Sequence, residues 1–187
     1  MWHMVGEAEK ELFTTLYTID VEQAERARAR GCECGGRLHR ADYARKVRGI
    51  PPEHEALFEK RFSFCCHREG CRRRHTPPSV RFWGRMVYAA AVVVLVMSGS
   101  CAAPSTPSAA VVPPQTRRRW RTQLPARIAR STFWQQARAD VIPPVCESAL
   151  PHSLMARFSG SVAEALVLTL RFFSPLTTRC AGFARAR

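Results

Sequence analysis

The chain has 187 residues, 29 of them Lys or Arg against 15 Asp or Glu, for a formal charge of +14. A field of that sign concentrates polyanions, of which nucleic acid is the commonest. The most apolar run, Val87 to Met97, falls well short of the roughly 20 residues needed to cross a bilayer, which excludes it as a membrane-spanning helix.

At this length the chain suits one ordinary domain or two small modules with a linker, and its patterning favours the modules. The charge is unevenly spread. Six of the 15 acids lie between Glu7 and Glu25, and none lies between Glu69 and Asp140, an interval holding twelve arginines from Arg72 to Arg138. Solvated surfaces usually mix both signs, so a one-signed interval favours polyanion binding. Arginine suits bidentate phosphate and guanine contacts, although the presence of only three lysines also follows from GC-rich coding. The N-terminal MWHMVGEAEKE lacks a basic region followed by an apolar core, so a cytoplasmic location with reduced thiols is expected.

From Val5 to Arg30 the pattern is helical, with Leu12, Leu16 and Ile19 on one face. Asp20 followed by Gln23 reads as a capping box that splits the segment into a hairpin of two helices, and Gly31 is placed to end the second. Residues 32–80 read as one small module, within which Cys32 to Cys71 offer only a thin core of Leu38, Tyr43, Val47, Ile50, Leu57, Phe58, Phe62 and Phe64, and such segments usually need a metal or disulfide staple. Alternation of Phe62 and Phe64 predicts a strand over Phe62 to Cys65, then a turn at Glu69-Gly70, with Pro77-Pro78 ending the module.

Residues 81–97 end in the apolar run, read as a buried helix packed on the last helix of the chain. Residues 98–114, rich in Pro, Ala and Ser, read as a linker without stable structure. Residues 115–187 read as a helical module: one helix from Gln115, one capped by Ser131, and one from Val162 to Phe173 opened by the capping box of Ser161. The expected class is mainly α with a small zinc-ribbon β element.

Cys32 and Cys34 lie in CECGG, and Cys66 and Cys71 form a C-x4-C pair about thirty residues later. Two cysteine pairs joined by a segment too poor to fold alone suit one tetrahedral zinc. Gly35 and Gly36 let backbone amides turn toward the sulfurs. Because C-x-C is tighter than the usual C-x-x-C, Cys65, His39 and His67 stand as alternate ligands. Ordinary buried thiols or an oxidised pair are the other reading. Cys101, Cys146 and Cys180 lack partners at ligand spacing and read as structural thiols.

The stretch RFSFCCHREGCRRRHTPPSVRFWGR is similar to the second half of the zinc ribbons at the front of insertion-sequence transposases. VPPQTRRRWRTQL resembles the second helix of a transposase-type helix-turn-helix, with SGSCAAPSTPS where the first helix belongs, so that element reads as degenerate. More widely, CGGRLHRADYARKVRG, CRRRHTPPSVRFWGR, FWQQARADVIPP and RFFSPLTT resemble a group of uncharacterised bacterial proteins with this layout. The resemblance implies this layout, and with the acid-free interval it leads to an expectation of nucleic-acid binding, with DNA favoured, through Arg72, Arg73, Arg74 and Arg81 and through Arg117, Arg118, Arg119 and Arg121. The last four crowd one turn, where like charges repel. Trp120 among them reads as a core anchor.

A carboxylate-type catalytic core needs acids spread over a large domain to hold two metals. Only Asp140, Glu147 and Glu164 follow Glu69, so no enzyme is expected. The alternative to a DNA-binding protein is a zinc-dependent protein-interaction module, or a diverged copy without a target.

Overall fold

In the computed structural model, which describes residues 3–99 and 112–178, His3–Arg30 form one continuous helix, α1. The expected helical hairpin is therefore corrected. Asp20 does not cap a second helix; it is buried inside α1. Its carboxylate accepts from the Ser79 hydroxyl, from the Val80 backbone N–H at 2.7 Å and from Arg81 Nε at 2.8 Å. Those partners outweigh a local cap, which contributes only about 1 kcal/mol. Gly31 ends α1 as expected: it takes φ +73°, and its N–H reaches the Arg28 carbonyl at 3.1 Å.

Two apolar clusters share α1. Phe13, Leu16 and Ile19 belong to the large core. One turn further on, Ala24, flanked by Tyr17, Val21 and Ala27, backs a smaller cluster with Cys32, Leu38, Phe62, Phe64 and Cys66. The five sequence segments share one core, since Phe13, Val80, Val93, Val112 and Trp120, one from each, all lie in the large cluster.

The small cluster is built on short strands: β1 (Leu38–Arg40), β2 (Tyr43–Ala44), β3 (Lys60–Arg61), β4 (Phe64–Cys66) and β5 (Arg74–His75). β1, β4 and β5 form an antiparallel sheet with β4 central, and β2 pairs with β3. The strand expected over Phe62 to Cys65 is shifted to Phe64–Cys66, although Phe62 and Phe64 are both buried. The turn falls at Glu69–Cys71. Register places His39, Cys65 and Arg74 in one cross-strand row, so Cys66 lies on the opposite face from Cys65.

The apolar run forms α2 (Ala90–Met97), buried nearly all round. Its entry is satisfied by distant carbonyls: Ala89 N–H reaches Arg48 O and Ala90 N–H reaches Arg81 O. No helix among the described residues is long and apolar enough to cross a membrane. α2 packs on α3 (Pro114–Ala129) and on the last helix, α6 (Val162–Phe173). Trp120, Leu124 and Ile128 recur every four residues and bury one stripe of α3, with Trp120 edge-on to Tyr88 at 5.2 Å.

α4 (Thr132–Ala137) is capped by Ser131, whose hydroxyl accepts from Trp134 N–H, and α5 (His152–Met155) precedes α6. Both halves of the Ser161 capping box are present. Of the expected linker, residues 100–111 lie outside the described residues, and Pro114 already belongs to α3.

Between the two clusters lies a buried charge centre of Asp20, Arg61 and Arg81, with side chains 1–3% exposed. Arg81 donates to the carbonyls of Leu57 and Lys60. The rings of Tyr17, Phe58, Phe62 and Phe82 stand 5.0, 5.6, 4.7 and 4.9 Å from its guanidinium carbon. Arg81, expected on a nucleic-acid surface, is therefore corrected to a core residue. Arg61 donates to Pro77 O at 2.6 Å and to the Thr177 hydroxyl at 3.4 Å, which ties the sheet module to the C-terminal helices.

Candidate metal centre

Cys32 follows the glycine that ends α1, and Cys34 lies two residues further in the same tight turn. Cys32 N–H meets Gly36 O at 3.0 Å, and Gly35 N–H meets Cys32 O at 2.7 Å. Cys66 closes β4, and Cys71 sits in the following turn, where its N–H reaches Arg68 O at 3.0 Å. These two knuckles bring the four sulfurs within 4.8 Å of one another. Cys32 and Cys71 are 3.7 Å apart, and Cys34 and Cys66 are 3.5 Å apart. A metal with sulfur bonds of about 2.3 Å needs tetrahedron edges of about 3.8 Å, whereas a disulfide needs about 2.05 Å. The spacing fits a shared metal, and this group of four can hold one.

The surroundings are shaped for anionic sulfur. Backbone N–H groups of Cys34, Gly36 and Arg68 point at the sulfurs of Cys32, Cys34 and Cys66. The Gly36 amide, aided by Cys66, lowers the Cys34 thiol to about 7, while burial pushes the Cys66 thiol up to about 12. Ligands must lose their protons to bind, so a metal binding here releases protons.

Gly36 is required by space. A Cβ at this position would lie 2.5 Å from Cys66 Sγ and 3.3 Å from Cys34 Sγ. Gly36→Ala is expected to weaken metal binding about 10–100-fold, in the range of altered outer-shell contacts, as measured by competition with a chromophoric chelator.

The alternate ligands fall outside the cluster. Cys65 faces away from it and contacts Arg72 O at 3.4 Å. His39 and His67 stack with ring centroids 5.9 Å apart, and His67 Nδ1 accepts from Arg37 N–H at 2.9 Å. Sequence reasoning missed His75, whose Nε2 lies 3.2 Å from Cys32 Sγ. Its position four residues after Cys71 was a legible signal. On β5 it shares the inner sheet face with Phe64, its cross-strand partner, so its ring can donate to a metal-bound thiolate and draw off charge.

Around this centre Arg72, Arg73 and Arg74 are exposed. Arg73 pairs with Glu33, linking the two knuckles, and Arg74 lies 5.7 Å from the Tyr43 ring. On α3, Arg118, Arg119 and Arg121 are exposed and Arg117 half-buried, away from the buried Trp120 stripe. Of the late acids, Glu147 accepts from Trp134 Nε1 at 2.7 Å and Glu164 serves the Ser161 cap. Cys146 is exposed, which corrects its reading as a structural thiol, while Cys101 and Cys180 lie outside the described residues. Compared with protein-family models, curated proteins and solved structures, the chain matches none.

Proposed function

We propose that the chain is a non-enzymatic, nucleic-acid-binding protein, with DNA as the expected polymer, in which one zinc ion on Cys32, Cys34, Cys66 and Cys71 holds a ribbon. The observation that carries this reading is four sulfurs at tetrahedral spacing next to the exposed arginines Arg72, Arg73 and Arg74. Zinc suits four thiolates in a closed structural site and supplies no redox chemistry. The similarity of residues 61–85 and 112–124 to the front of insertion-sequence transposases supports a transposon-associated role. The engagement of Glu147 and Glu164 in structural hydrogen bonds supports a binding protein over a carboxylate enzyme.

The test is a titration of the metal-loaded chain with labelled duplex DNA at several salt concentrations. Affinity is expected to fall linearly on logarithmic axes, with a slope of about −0.9 per phosphate contacted. Replacing Arg118, Arg119 and Arg121 by glutamine flattens that slope. Binding that ignores salt, or none at low salt, replaces this reading with the protein-interaction module.

A further inference from the structure

Between the last turn of α1 and β1 runs a groove of about 920 Å³. Arg28, Arg30, Arg37, His39 and Arg40 line it, and Glu25 is the acid among its lining residues. β1 is an edge strand, with β4 as its ladder partner. Arg37 and Ala41 both hydrogen-bond toward the β4 side, to His67 and Ser63. By the alternation of antiparallel ladders, Leu38 and Arg40 therefore turn their N–H and C=O groups to the open edge.

Arg40 is held by Asp42 at 2.8 Å. The guanidinium groups of Arg28, Arg30 and Arg37 have no ion pair or hydrogen bond among the described residues. Cations near a helix C-terminus complement its dipole by about 0.3–1 kcal/mol. That accounts for Arg28 and Arg30, but not for Arg37, which a separate element brings to the same concavity. So much uncompensated charge suits an anion better than the largely apolar ligands that most small-molecule pockets take.

We propose that this groove seats a nucleic-acid phosphodiester backbone. Arg28, Arg30 and Arg37 fork onto phosphate oxygens, and the outward N–H groups of Leu38 and Arg40 supply further donors. This deepens the nucleic-acid reading above and rests on it. The contact surface it names lies wholly outside the acid-free interval that composition singled out.

The experiment uses the full metal-loaded chain with Arg28, Arg30 and Arg37 replaced together by glutamine, and separately by lysine. The probes are labelled oligodeoxythymidine, oligouridine, duplex DNA and an oligoglutamate peptide. The glutamine variant is expected to keep wild-type circular dichroism and metal content. It should bind nucleic acid roughly tenfold or more weakly, with the single-strand salt slope reduced by about 2, near 0.7 per lost contact. The lysine variant should keep the slope.

A folded glutamine variant with wild-type affinity and slope overturns the groove while leaving nucleic-acid binding by the chain intact. A wild-type chain that binds none of the polymers overturns both. Oligoglutamate that binds in the groove and is not displaced by DNA overturns the proposal in favour of an acidic peptide adding to the β1 edge.

Discussion

Replacing Asp20 by alanine is expected to lower the free energy of unfolding by about 3–5 kcal/mol, because it removes the negative partner of a buried ion pair and leaves its cations uncompensated. Two guanidiniums face this one carboxylate, with Arg81 Nε at 2.8 Å and Arg61 Nη1 at 3.8 Å. Burial already pulls Arg61 below its ordinary pKa, and Asp20 opposes that pull. The substitution also strips acceptors from the Ser79 hydroxyl and the Val80 N–H, both buried.

Urea denaturation in excess metal, followed by far-ultraviolet circular dichroism, measures the effect as a shift of midpoint at nearly constant slope. Asp20→Asn keeps an acceptor and loses the charge, so its loss should approach that of alanine if the charge dominates. A loss below about 1 kcal/mol for alanine, the size of one ordinary hydrogen bond, would show that the two arginines do not depend on Asp20.

Metal removal is the second large effect. Purified chain is expected to carry one zinc, and Cys34→Ala or Cys66→Ala to abolish it, while Cys65→Ser leaves it in place. Structural zinc contributes about 10–16 kcal/mol of apparent binding energy in small zinc-finger peptides near neutral pH, and that energy is folding energy. The cluster it would support is small: Ala24, Cys32, Leu38, Phe62, Phe64 and Cys66.

Chelation should therefore raise amide hydrogen exchange over residues 32–75 while α2, α3 and α6, which pack in the large core, stay protected. Because thiols must lose their protons to bind, affinity falls as pH falls, and acidification acts like the chelator. Unchanged exchange over residues 32–75 in the stripped protein would show that the module folds without metal. A loss of metal in Cys65→Ser would move the site to the other sheet face.

Features closed within one or two turns of chain were legible in the residues. Gly31 ends α1, Ser131 and Ser161 cap their helices, and the apolar run announced a buried segment because no surface helix is apolar all round, although Val87 at its start is exposed and the helix begins at Ala90. The two cysteine pairs with adjacent glycines named the metal cluster by composition and spacing. Choosing Cys66 over Cys65 required the strand register, since adjacent residues on a strand face opposite sides.

Asp20 satisfies a capping pattern, and nothing local argues against it. It remains inside α1 because Ser79, Val80 and Arg81, about sixty residues away, supply a cation and two donors. Arg81 looks like the other arginines of the acid-free interval, yet four aromatic rings and Asp20 bury it. Arg28, Arg30 and Arg37 become one surface only because Gly31 turns the chain and β1 runs at the sheet edge. Periodicity and capping are short-range, so composition and spacing decided where helices form, the Ser131 and Ser161 caps and the two regions that supply the cysteine cluster. Desolvation and partner geometry act across the packed fold, so the tertiary structure alone decided which charges are core and which remain free to meet a ligand.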